Sequence, residues 1–326
     1  CLVMLDQVFE EVLDGVEPRL LALGLKARGR ALRDLGHADE SLEAFERALE
    51  IARRASDRST EARVLGHVAF TRMRMGEDEA ALELLDEATR TAHDAGDRRS
   101  EGMLLASVGI VRVRLGRLDD AARAFDAALA IDEEVGNRYG RAAALAARGE
   151  LHRACGRSEA ARSDLEAALE GYREFGERRH EGIAHTELGV LYQEQKRFAD
   201  ARACLERAQE QHREMGSRMF QAVALLTLGD LEREEGRLPE ARARYDRALR
   251  IARELGDRVL QARCLASLGG THASLDRADA ARESLQDAER LARALGDPSA
   301  IRVVDLERAH LDLREASQAA ARGERE

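Results

Sequence analysis

Between residues 217 and 256 the apolar positions fall into two runs with the spacing of a helix face. Ala222, Leu225, Leu228 and Gly229 form the first. Leu238, Ala241, Tyr245, Ala248, Leu249 and Ala252 form the second, and Gly236 separates the two. The unit predicted is a helix A, a tight turn, a helix B and a connector.

The same arrangement returns every 40 residues. One glycine column reads Gly36, Gly76, Gly116, Gly156 and Gly236, with Lys196 in the missing place. A second reads Gly96, Gly136, Gly176, Gly216, Gly256 and Gly296. A third column is alanine throughout: Ala48, Ala88, Ala128, Ala168, Ala208, Ala248 and Ala288. A fixed period of this length marks a repeat solenoid, in which each unit contacts its neighbours and the array forms one elongated body. Seven units are expected, at 17–56, 57–96, 97–136, 137–176, 177–216, 217–256 and 257–296.

The connectors carry their own logic. A glycine after the last turn takes the left-handed conformation that closes a helix. The residue that follows can then accept hydrogen bonds from the free amides of the next helix. Asp57, Asp97, Asn137, Ser217, Asp257 and Asp297 occupy that place, with Glu177 the weaker exception. Pro298 suits a first helical turn. Aligned on the period, residues 1–16 match a helix B, with Leu5, Val8, Phe9 and Val12 where Phe45, Ala48, Leu49 and Ala52 fall. Its partner helix is missing, so the array is expected to begin partway through a repeat of something longer. Residues 297–326 read as a capping helix followed by a polar tail from 317.

Composition narrows the picture. The chain has 326 residues, three prolines, no tryptophan and 3% aromatics, so alanine and leucine must fill the core through close helix–helix approach. Net charge is −10, and among 52 basic residues only Lys26 and Lys196 are lysine, which points to a GC-rich bacterial genome. An acidic chain with interleaved signs argues against nucleic-acid binding. Cys1, Cys155, Cys204 and Cys264 lie far apart, which excludes a disulfide framework or zinc site and fits a reducing cytoplasm. No apolar run approaches the ~20 residues of a membrane span.

Position types separate repeat families that the period alone leaves open. Within 217–256 the order Leu225, Leu228-Gly229, Gly236, Ala241, Tyr245, Ala248 resembles the tetratricopeptide repeat. Its Leu-Gly pair returns at Leu188-Gly189 and Leu268-Gly269, its aromatic at Phe45 and Phe125, and its first small residue at Ala81, Ala121, Ala161, Ala201 and Ala281. The 40-residue unit is similar to the long variety of spindle-orientation adaptors, kinesin light chain and bacterial multidomain regulators, including ATP-dependent transcriptional activators of the maltose type. The resemblance implies an all-α, right-handed α–α superhelix whose A helices line a concave groove for a protein or peptide partner.

Carried onto this chain, that groove would show Arg30, Arg33, Arg63, His67, Phe70 and Met73 in its first part. Arg74, Met103, Ile110, Val113 and Arg114 would continue it. Its middle is small, at Ala143, Ala146 and Ala147, with Glu150 and Arg153; its last part shows Ile183, Glu187, Val190, Glu194, Val223, Asp230, Arg233 and Glu234. The expectation is a groove basic and apolar early, acidic and apolar late, with Phe70 and Met73 as apolar anchors. The adaptors' asparagine column here reads Ala27, His67, Ser107, Ala147, Glu187, Thr227 and Ser267, and the co-chaperone clamp for a terminal carboxylate is not matched.

No phosphate-binding glycine loop, dinucleotide fingerprint or zinc-protease motif is present. His152, His185 and His272 occupy packing columns, and Cys155 and Cys264 read as buried, inert thiols. The chain is therefore expected to be a non-catalytic binding arm of a larger bacterial signalling protein, without cofactor, metal, nucleic acid or membrane. A small-molecule effector sensor and a self-assembling array remain open beside it.

Overall fold

The computed structural model describes residues 17–34, 37–296 and 298–323. Residues 1–16 with the expected N-terminal helix, Cys1, Gly36 in the first glycine column and the expected cap Asp297 lie outside them. The chain divides into two compact units, Cys1–Gly171 and Tyr172–Glu326. The first carries α1 (Pro18–Asp34), α2 (Ala38–Arg54), α3 (Arg58–Arg74), α4 (Asp78–Asp94), α5 (Arg98–Arg114), α6 (Leu118–Glu134) and α7 (Arg138–Ala154), with α8 (Ser158–Glu174) at the division. The second carries α9 (Arg178–Glu194), α10 (Phe198–Glu214), α11 (Arg218–Glu234), α12 (Leu238–Glu254), α13 (Arg258–Ser274), α14 (Ala278–Leu295) and α15 (Pro298–Gly323). There is no strand among the described residues. The polar segment beginning at 317, read as a tail, continues α15 to Gly323.

Three-residue connectors reverse the chain between helices, so neighbours run antiparallel. At most connectors a glycine holds positive φ, from Gly296 at 62° to Gly76 at 84°. Lys196 (60°), Ser56 (54°) and Asp276 (57°) adopt the same left-handed geometry, so the turn is imposed on these side chains too. The connector amide then reaches back to a helix carbonyl, as in Asp97 N to Ala92 O at 2.9 Å. Cap side chains act where expected at Asp57, Asp97, Asn137 and Asp257, which accept from Thr60 N (3.0 Å), Ser100 N (3.1 Å), Gly140 N (3.2 Å) and Leu260 N (2.9 Å). Ser217 makes no such bond, against expectation, and neither does Glu177.

Each hairpin closes on one small-to-large contact. A Cβ added at Gly29, Gly109 or Gly229 would fall 2.5–2.6 Å from the ring of Phe45, Phe125 or Tyr245. At Gly189 and Gly269 the same place is filled by Leu205 and Leu285. The alanine column is fully buried at all seven positions. Ser41 replaces alanine in the neighbouring column, and its hydroxyl is satisfied by Gly29 O at 2.8 Å. Burial of this kind is worth about 25 cal/mol per Å² of apolar surface, so alanine contributes by letting backbones approach.

Polar rungs tie the two helices of a hairpin together at its open end. Arg58–Asp94, Arg98–Glu134, Arg178–Glu214 and Arg218–Glu254 link the start of an A helix to the end of the following B helix. Glu61 and Glu101 are buried, and each is held by two basic groups: Arg53 and Arg58 for the first, His93 and Arg98 for the second. Within each unit, the backbones of successive A helices (α1, α3, α5, α7; α9, α11, α13, α15) approach one another closely, whereas those of successive B helices stay farther apart. The A layer is thus the inner layer of each unit.

Candidate functional site

The inner layer of the first unit holds a hollow of about 420 Å³ between α1, α3 and α5. Arg30 and Arg33 come from α1, and Arg63, His67 and Phe70 from three turns of α3. Met103 closes the far side from α5, beside Leu104. These side chains share one wall because they sit three or four residues apart on helices that repeat every 40 residues. Phe70 is 44% exposed, Met103 50% and Ile110 40%, values high for large apolar groups in a packed array.

The hollow is strongly basic. The Arg33 guanidinium lies over the Phe70 ring at 4.6 Å, and Arg74 donates to the Arg33 carbonyl at 3.3 Å. Arg63 donates to Thr60 Oγ1 at 3.1 Å, while its buried Nε has no hydrogen-bond partner among the described residues. His67 stacks on Phe45 with ring centroids 5.6 Å apart. Burial, followed by Arg33, Lys26, Arg30 and Arg63, drives its pKa down to about 3, so it is a neutral wall residue. Lys26 is held below the usual lysine range by burial and then by Arg63 and Arg30. Among the described residues no acidic side chain lines the hollow.

Beside it a smaller hollow of about 80 Å³ is bounded by Phe70, Met73 and Ile110, with Leu85 and Val111 behind. The two expected anchors therefore differ. Phe70 projects, whereas Met73 is half-buried against the α3–α5 core and Met103 takes the exposed place across from Phe70. Arg114, on the same inner face, is engaged by Asp78 at 2.9 Å and lines neither hollow. Arg153, half-buried on α7, also lies apart from both.

In the second unit a hollow of about 690 Å³ is lined by the expected Asp230, Arg233 and Glu234 of α11. Glu187 and Glu194, both on α9, do not reach it. Its acids are engaged: Asp230 accepts from the Tyr245 hydroxyl at 2.7 Å, and Glu234 from Gln193 at 2.9 Å and from Lys196. Burial raises the Asp230 pKa against the lowering effect of that hydroxyl. Arg233 pairs with Glu307 at 2.6 Å, and Arg314 donates to Ala273 O at 3.0 Å. Leu306, Glu307, His310, Leu313 and Arg314 of α15 complete this wall and were absent from the sequence expectation. Adding 40 to the α13 inner-face positions 267, 270, 273 and 274 reaches four of these five, so the signal was present in the period.

Among the described residues there is no cluster of His, Cys, Asp or Glu fit to hold a metal ion. Cys264 is buried and its thiol is pushed up to about 12 by burial, matching an inert thiol, whereas Cys155 is only half-buried. No helix among the described residues is long and apolar enough to cross a membrane.

Antiparallel helix pairs with small-to-large closure, an inner A layer and surface hollows on that layer define a helical-repeat binding scaffold. The tetratricopeptide repeat model matches residues 100–174, 140–214 and 220–294, and a second tetratricopeptide model matches 27–59. The chain belongs to the tetratricopeptide repeat family. A model described as anaphase-promoting complex subunit 5 matches residues 62–114. Comparison with curated proteins gives no match.

Among solved structures it is similar to a signal transduction ATPase with numerous domains (STAND) carrying a tetratricopeptide repeat sensor from Pyrococcus horikoshii. That match has 14% identity and a TM-score of 0.69 over 98% of this chain and 50% of that one, so the chain spans half the length of that relative. A Rap protein complexed with competence and sporulation factor matches at 14% identity and TM-score 0.69, over 90% of this chain and 80% of that one. The apo quorum sensor NprR from B. thuringiensis matches at 13% identity and TM-score 0.68, over 88% and 80%. At these identities the likeness establishes the fold.

Proposed function

We propose that this chain is the non-catalytic binding arm of a bacterial signalling protein, working in the cytoplasm and taking a peptide segment on the inner layer of its first unit. The observation that carries this reading is the pair Phe70 and Met103, exposed across a hollow of about 420 Å³ rimmed by arginine. Apolar anchors inside a polar rim are the usual energetic centre of a binding surface. Support comes from fold likeness to a Rap protein complexed with competence and sporulation factor and to a quorum sensor. The long-unit tetratricopeptide pattern adds weight to a sensor or scaffold role. Repeat arrays carry extended inner surfaces suited to such segments.

The test uses 12-residue random peptides displayed on phage and selected against the chain. Enriched peptides are expected to bind in titration and to lose about 2 kcal/mol of affinity in the Phe70→Ala/Met103→Ala variant, with helicity retained. Enriched peptides that bind the variant unchanged would place the site elsewhere. The volume also suits a small effector, which a compound library scanned by thermal shift would reveal in place of peptides.

A further inference from the structure

We infer that Arg233 and Glu307 form a strap across the inner layer of the second unit. The strap sets how closely α11 and α15 approach, and so how wide the hollow between them stands. It belongs to the second unit and is independent of the peptide reading of the first.

The reach of this pair sets it apart from the rungs. Arg178–Glu214 and Arg218–Glu254 each tie the two helices of one hairpin. Arg233 leaves α11, passes over α13 and meets Glu307 of α15, 74 residues further on, at 2.6 Å. Among the described residues the backbones of α11 and α15 make no close approach of their own, although each approaches α13. The passage over α13 depends on Gly270. In the other A helices the same inner-face place carries a side chain: Arg30, Phe70, Ile110, Glu150, Val190, Asp230 and His310. A Cβ at Gly270 would collide with the Glu307 carboxylate and come within 2.8 Å of an Arg233 nitrogen. Glycine is the residue that lets other groups cross a helix at this range.

Each end of the strap has a second partner on its own helix. Asp230, one turn back on α11, attracts Arg233, and His310, one turn on along α15, faces Glu307 at 3.8 Å. Opening therefore exchanges partners instead of stranding two charges, which is the condition for two discrete arrangements. Meanwhile α15 stays docked by its opposite face. Val304 and Leu311 are buried in the core with Leu268 and Leu285, and Arg308 meets Glu289 at 2.5 Å. Release would let α15 swing on that docked face. Leu306 and Leu313, 57% and 68% exposed, ride on α15 and line the hollow of about 690 Å³. Both ends of the strap lie in the same wall. The strap thus fixes the spacing between this apolar side and the acids Asp230 and Glu234 of α11.

The test reads this spacing by double electron–electron resonance. Nitroxides are attached through p-acetylphenylalanine in place of two exposed residues, Glu240, just past the turn that ends α11, and Asp312 on α15. Gly270→Ala keeps both charges and favours the helix, so helicity should hold while the added methyl displaces Glu307. The label distance is expected to lengthen by about 2 Å or more, the scale of helix shifts at packed interfaces. Arg233→Met should lengthen it as far, and the double variant no further, because both changes cut one strap. Gly270→Ala also keeps the test decisive if Arg233→Met folds poorly. Arg218→Met, which removes a rung at the other end of α11, should leave the distance as it was. An unchanged distance in either single variant at the strap overturns the assignment. So do increments that add in the double variant or appear equally with Arg218→Met.

Discussion

Gly229 shows how one missing methyl sets a hairpin. Its Cβ would fall 2.5 Å from the Tyr245 ring, which is fully buried and tied through its hydroxyl to Asp230. Neither side can retreat, so Gly229→Ala is expected to overpack the contact and cost about 1–3 kcal/mol, read as a lower melting temperature. An unshifted melt would mean that the hairpin opens to admit the methyl. Histidines add a second effect at this scale. Burial, then Arg173 and Arg207, drive the pKa of His185 down to about 4, and those of His67, His152, His212 and His272 are also lowered, burial leading in each. In an unfolded chain a histidine titrates near 6.5. As pH falls from about 6.5 toward 4, the unfolded state binds protons that the folded state refuses, so stability declines with acid. At pH 7 nothing is lost. His185→Leu, which restores the leucine usual in that column, should flatten the fall of melting temperature between pH 6.5 and 4. An unchanged slope would remove His185 from this account.

The helices and their connectors were the most legible layer. Apolar spacing and the two glycine columns place the connectors between the described helices, because a left-handed closing residue is a strong local demand. What the pattern understated is that the demand outlives glycine: Ser56, Lys196 and Asp276 adopt the same φ. A non-glycine residue there costs roughly 1–2 kcal/mol, against which glycine's greater unfolded-chain freedom returns about 0.4–1. Ser56→Gly should therefore stabilise by about 0.5–1 kcal/mol in a denaturant titration, and destabilisation would show that the Ser56 side chain contributes more than its strain costs. Ser217 was read as a cap from residue type alone, and its hydroxyl makes no bond to the next helix. The alanine column was read correctly as close contact, since all seven positions are buried. Ala128→Leu is expected to lower stability by about 1–3 kcal/mol, with a neutral melt counting against it.

At the scale of the molecule, the family was legible because a 40-residue period repeats each position type along the chain. Which columns project was not. Phe70 and Met73 look equivalent one turn apart, yet neighbouring hairpins half-bury Met73, and the exposed partner of Phe70 is Met103 from the next repeat. The contribution of α15 to the second hollow was missed because the assigned units stop at 296, short of that helix. Charge was half-legible: the early arginines do gather, whereas the late acids Asp230 and Glu234 are answered by Tyr245 and Lys196 in ways that single columns do not reveal.

The account rests on ligand occupying the inner layer of the first unit, and methyl-labelled methionine reports on that directly. The chain has six methionines, of which Met73 and Met103 bound the two first-unit hollows, while Met75, Met215 and Met219 lie exposed outside them. On titration with an enriched peptide, the Met103 and Met73 methyl resonances are predicted to move while those of Met75, Met215 and Met219 hold still. Movement of the latter three with Met103 and Met73 unchanged would contradict it.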